Sequence, residues 1–129
     1  MKVIIKSKQN YGTNIEEYTE EFNCELEKAE ESLKIKFENG FIQIAENKLT
    51  YERGENKIII EPDKTNECDF ETEYGMFVLD IKCLFFENSI KDYNNIVEND
   101  LLGTLIKAKY EIQMVGVEPY ENNIEIILA

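Results

Sequence analysis

Arg53 is the single arginine of the chain, and it follows Leu49 and Tyr51 at every second position. A strand through that run points all three side chains to one face. The planar fork of a guanidinium is suited to an anionic or carbonyl group at the lip of a binding site. Tyr51, Tyr74 and Tyr110 also fall on alternating positions that read as inward-facing. Their hydroxyls can orient a ligand against an otherwise apolar wall. Arg53, Tyr51, Tyr74 and Tyr110 are therefore the candidate ligand-binding residues. The plainer reading is a strand-end arginine reaching solvent or a neighbouring glutamate, and tyrosines packed in a core.

Other chemistry is thinly supported. The chain has no histidine, which removes the commonest general base, the Ser-His and Cys-His pairs and most catalytic zinc sites. No glycine-rich phosphate loop occurs, and no cofactor motif is found. Asp69, Glu71 and Glu73 alternate on one strand face, where they read as solvated side chains. The acidic run Glu16, Glu17, Glu20 and Glu21 reads the same way. Asp92 to Asp100 is rich in oxygen ligands, but it lacks the spacing and glycine of an EF-hand loop, so no metal ligand set is assigned. Cys24, Cys68 and Cys83 form no C-x-x-C pair and sit beside apolar residues, as buried free thiols do.

The elements that must position these residues are strands. From Leu102 to Met114, one face carries Leu102, Thr104, Ile106, Ala108, Tyr110, Ile112 and Met114. The other carries Gly103, Leu105, Lys107, Lys109, Glu111 and Gln113. Leu33, Ile35 and Phe37 alternate with Lys34, Lys36 and Glu38, and Cys68, Phe70, Thr72 and Tyr74 with Asp69, Glu71 and Glu73. Phe77, Leu79, Ile81, Cys83 and Phe85 mark one face of a further strand. Segments 2–8, 15–24, 41–46, 48–53, 57–61 and 121–128 complete the set. Asn39-Gly40 is a hairpin signal, and loops fall at 53–56, 62–66 and Tyr74-Gly75. Residues 22–37 also show helical spacing, but clean alternation from Leu33 favours strand, turn and strand. Residues 88–100 read as a long loop or one short helix.

The chain of 129 residues suits one domain, spanning 1–129. Fourteen basic against 27 acidic residues leave a net charge of −13. Nucleic acid and anionic membrane surfaces both require local positive charge, so neither is an expected partner. The opening run Met1 to Lys6 is too short for a signal peptide, and no apolar run is long enough for a bilayer span. A cytoplasmic location is expected. Successive hairpins with one very long strand predict an all-β fold: a single closed or nearly closed antiparallel meander barrel of about eight to ten strands.

Three short stretches resemble the YwiB-like family of small bacterial proteins. Ile35-Lys36-Phe37-Glu38 is similar to its Leu-x-Tyr-x-Glu strand. Leu49 to Gly54 resembles its strand ending in Arg-x-Gly, shortened here to Arg-Gly. Thr72-Glu73-Tyr74-Gly75-Met76-Phe77 resembles its Thr-x-Tyr-Gly-x-Phe hairpin, with Glu73 where that family often has proline. The likeness covers roughly 33–86, and 88–100 stands out as an insertion. It implies a calycin-type, lipocalin-like barrel and carries no reaction with it. The leading functional reading is a non-enzymatic barrel binding a small, partly apolar ligand. A module whose acidic surface meets a basic protein partner is second, and a carboxylate-based enzyme third. The odd cysteine count predicts that denaturation without reductant releases all three thiols to Ellman's reagent. Release of only one would contradict a reducing compartment.

Overall fold

The structure is a computed structural model that describes residues 1–129. Eleven strands follow in order: β1 (Lys2–Asn10), β2 (Ile15–Asn23), β3 (Glu25–Ala29), β4 (Ser32–Phe37), β5 (Gly40–Ala45), β6 (Lys48–Arg53), β7 (Asn56–Ile60), β8 (Thr65–Thr72), β9 (Gly75–Asn88), β10 (Gly103–Met114) and β11 (Val117–Leu128). They form a six-stranded sheet, β2-β1-β11-β10-β9-β8, and a five-stranded sheet, β3-β4-β5-β6-β7. Every pairing is antiparallel.

The architecture corrects the single closed or nearly closed barrel. The main-chain ladder breaks at two seams, leaving two sheets that face each other. Between β2 and β3 the chain passes through Cys24 alone and changes sheet. Between β7 and β8, side chains take the place of a ladder: the Glu71 amide donates to Asn56 Oδ1 at 2.9 Å, and Asn66 Nδ2 donates to the Ile59 carbonyl at 3.4 Å. The strand count is eleven rather than about eight to ten.

One continuous core lies between the sheets. Leu33, Ile35, Ile42, Ile44, Leu49 and Ile60 come from the five-stranded sheet, and Val3, Ile81, Ile106, Ile126 and Leu128 from the other; all are essentially inaccessible. Alternation accounts for most of this. The helical spacing in 22–37 loses because a hairpin turning at Glu30-Glu31 buries Leu33, Ile35 and Phe37 on one face. Glu31 adopts φ 63° to make that turn.

Three irregularities interrupt the ladders, and two of them shift the expected faces. Lys109 pairs with Phe85 and Tyr110 with Cys83, so Leu84 is skipped. Beyond it the phase inverts: Phe86, opposite Ala108, turns inward and Phe85 is half-exposed. In β10 the extra residue is Leu105. Leu105 is buried, while Thr104 turns out of the core and its hydroxyl bonds Glu125 Oε1 at 2.9 Å. Ile106, Ala108, Tyr110 and Ile112 are buried and Lys107 is exposed; Thr104, Met114, Lys109 and Glu111 are half-buried.

Residues 88–102 contain two short 3-10 turns, Tyr93–Asn95 and Glu98–Leu101, rather than one helix. Ile90, Ile96 and Leu101 enter the core. Asn88 Nδ2 donates to the Ala45 carbonyl at 3.0 Å, and Lys28 Nζ to the Ile96 carbonyl at 2.5 Å. The segment thereby seals the end of the sandwich where β3–β4 and β5–β6 turn. The opposite end, at the β4–β5 and β6–β7 turns, stays open.

The β4–β5 turn is made by Glu38-Asn39, one residue before the Asn39-Gly40 dipeptide, and Gly40 pairs with Phe37. Asn39 supplies the positive φ of 65°. Gly40 is required for another reason: a Cβ there would run into the Glu52 carbonyl oxygen of the adjacent strand. Because that atom is backbone, Gly40→Ala should lower unfolding stability in urea by about 1–3 kcal/mol. A loss below about 0.5 kcal/mol, the range of an ordinary surface change, would contradict the contact.

Candidate functional site

Tyr51 and Arg53 lie on the inward face of β6, near the open end. Tyr51 pairs across the sheet with Ile42 and Ile58, so its register is that of the core. Arg53 is the last residue of β6, where the core gives out. Its Nη1 donates to Glu20 Oε2 at 2.5 Å, joining β6 of one sheet to β2 of the other. The guanidinium lies 5.0 Å from the centre of the Phe22 ring. Phe22 stacks on Phe37 at 4.8 Å, and Phe37 meets Tyr51 at 6.3 Å. Three rings from three strands thus support one cation, through ring contact and cation–π attraction.

The hydrogen bond from Arg53 to Glu20 raises the arginine's pKa still further, with partial burial opposing. Burial raises the Tyr51 hydroxyl, and the nearby Arg53 pulls it back. Asn39, Tyr51, Arg53, Gly54, Asn56 and Phe70 line an open cleft of about 600 Å³. None of these six lining residues is a carboxylate; Glu20 is held close by, on Arg53.

Tyr110 lies deeper, on the inward face of β10, and is only 3% exposed. Its hydroxyl accepts a hydrogen bond from Asn122 Nδ2 at 2.7 Å. Burial holds this phenol protonated well above the ordinary range; Tyr120 adds to the effect, the Asn122 bond opposes it, and Tyr51 and Cys68 contribute weakly in the same direction as burial. Asn122 is 5% exposed, and its Oδ1 is buried without a hydrogen-bond partner. Such an orphan acceptor is uncommon and costs about 1–3 kcal/mol. Tyr120, two residues away on the same face of β11, packs on Tyr11 with ring centres 4.7 Å apart.

The structure therefore brings Arg53 and Tyr51 together at the cleft, with Tyr110 behind them. Tyr74 is elsewhere. It is 84% exposed at the β8–β9 turn, because Thr72 pairs with Gly75 and the turn residues Glu73 and Tyr74 leave the ladder. Glu20, Phe22, Phe70 and Asn122 are the members that sequence reasoning missed. A signal existed for two of them. Glu20 alternates with Phe22 and Tyr18, and Asn122 is the one polar residue in the register of Ile124, Ile126 and Leu128.

The other candidates do not converge. Asp92 caps a turn, accepting from the Asn94 amide at 3.0 Å and from Asn95 Nδ2 at 2.9 Å, which lowers its pKa. Nowhere do three acidic or cysteine side chains gather as a ligand set. All three cysteines are free thiols. A trough of about 420 Å³ on the outer face of the six-stranded sheet is lined by Lys6, Lys8, Lys107 and Glu125 among others. There Glu125 pairs across the strands with both Lys6 and Lys107, the alternation of a solvated sheet face.

No protein-family model matches this chain, and no curated protein matches it. A solved structure does: the YwiB protein of Bacillus subtilis, with a TM-score of 0.56 over 99% of this chain and 90% of that one. Sequence identity is 8%. The likeness is one of fold. The chain thus has a YwiB-like, all-β fold, and the likeness says nothing about a ligand. No helix is long and apolar enough to cross a membrane.

In the unfolded chain a tyrosine ionises near pH 10 and a thiol near 8.5. Burial raises Tyr110 and also Cys24, Cys68 and Cys83, so the unfolded state releases these protons first. Their contribution is complete below about pH 8.5 and is lost as pH rises. Urea stability should fall above that point, with Tyr110 contributing a slope of about 1.4 kcal/mol per pH unit above pH 10. Tyr110→Phe should flatten the alkaline limb by that amount. Identical slopes would show that Tyr110 ionises in place.

Proposed function

We propose that this chain is a non-catalytic cytoplasmic protein that binds a small, partly apolar ligand at the open end of its sandwich. The ligand's anionic or carbonyl end meets Arg53, and its apolar body lies against Tyr51 and Phe70. The observation that carries this reading is the placement of the only guanidinium at the lip of a cleft of about 600 Å³ with aromatic walls. That volume is within the range of small-molecule sites. Three free thiols favour a reducing compartment. Arg53 is half-exposed and engages Glu20 through one nitrogen, so donors remain on the fork for a second oxygen.

The test is saturation-transfer NMR against a panel of small aromatic carboxylates. Arg53→Gln and Phe70→Ala should each abolish the signal of a hit or weaken it by roughly ten-fold. Lys107→Gln, on the outer face of the other sheet, should leave it unchanged. Equal signals from all variants would overturn the assignment.

A further inference from the structure

A second surface lies on the outer face of the β8–β9 hairpin, the side opposite Phe70, which lines the cleft. Residues 67–80 contain five carboxylates, Glu67, Asp69, Glu71, Glu73 and Asp80, and no lysine or arginine. None of the five joins an ion pair. The pairing sets Glu67 opposite Asp80, Asp69 opposite Val78 and Glu71 opposite Met76, all on one face. Met76 and Val78 are 59% and 47% exposed. Because Asp80 pairs with Gln113, Val78 is level with the β10–β11 turn, where Val115 is fully exposed and Val117 about half. An acidic row therefore borders an apolar row that ends in Tyr74 and Val115.

We propose that this face docks a cationic amphipathic segment of a partner protein. Exposed contiguous apolar side chains mark interaction surfaces, and here the charge beside them selects the partner. A second copy of the chain would set the same unpaired carboxylates against one another, a repulsion reinforced by the net charge of −13. Anionic lipid is repelled for the same reason. A segment with apolar residues along one edge and lysine or arginine along the other satisfies both rows at once. Its side chains cover Met76, Val78 and Val115 while its cations neutralise Asp69 and Glu71.

The test uses the full chain and a short synthetic peptide of alternating lysine and leucine. Amide shift changes should be confined to β8–β9 and the β10–β11 tip. Met76→Ser with Val78→Ser, which keeps all five carboxylates, should weaken affinity by roughly ten-fold or more, and Asp69→Asn with Glu71→Gln should do likewise. These side chains are solvent-facing, so circular dichroism and the thermal midpoint should stay near wild type. Unchanged affinity in the Met76/Val78 variant, or shifts centred on Glu16 to Glu21, would overturn the proposal. So would a dimer dissolved by Val78→Ser, which assigns the face to a second copy. Binding to phosphatidylcholine vesicles that Met76→Ser abolishes would assign it to lipid and equally overturn it.

Discussion

The molecule depends on each sheet hiding its apolar face against the other. Ile35, Ile42 and Leu49 on one side and Ile81, Ile106 and Ile126 on the other are fully withdrawn from water. Each such side chain contributes roughly 1.5–3 kcal/mol when buried. No disulfide or metal ligand set supplements this burial. It also sets register, since a one-residue slip in β4 would exchange Ile35 for Lys34 or Lys36. Register slips at three places, at Leu84 in β9, at Leu105 in β10 and where β11 meets Ile112–Met114, all among the long strands β9, β10 and β11.

The same burial explains why the ladder need not close. Once both faces are covered, the seams carry only edge groups, and Asn56 and Asn66 satisfy part of the β7/β8 seam with side-chain bonds. The ends differ for a related reason. Residues 88–102 carry Ile90, Ile96 and Leu101 and seal one end with apolar bulk. At the other end the alternation runs into Glu20, Arg53, Tyr110 and Asn122, whose polar groups cannot be packed without partners. A cleft remains where the sequence stops supplying apolar side chains.

Much of this was legible in the sequence, because alternation is a local signal. β4 and the hairpin before it, the inward run Ile106, Ala108, Tyr110 and Ile112 of β10 and the place of Arg53 at a strand end follow from period two; Leu102 and Thr104, expected inside, are not. Closure was not legible, since whether β2 meets β3 or β7 meets β8 depends on sheet curvature, which leaves no mark in composition. The bulges were hidden as well: Phe85 and Phe86 are both phenylalanines, and only pairing decides which turns inward. Tyr74 was misplaced because the period was carried beyond Thr72 into the turn. Glu20 was read as part of a solvated acidic run, since nothing local to β2 reveals an arginine on the opposite sheet.

That pairing decides how Arg53 is to be understood. A half-exposed ion pair is worth little, about 0–1 kcal/mol, and Arg53 and Glu20 are each close to half accessible. Glu20 is therefore a weak claim on the guanidinium. The Phe22 ring faces the cation at 5.0 Å and is itself backed by Phe37, which meets Tyr51. On the proposed binding reading, an incoming carboxylate or carbonyl would share the fork, or displace Glu20 into solvent, without leaving a buried charge unpaired. The Arg53–Glu20 pair links β6 of one sheet to β2 of the other across the open end. On the same binding reading, the net charge of −13 would disfavour highly charged anions and leave Arg53 to ligands with one polar end and an apolar body.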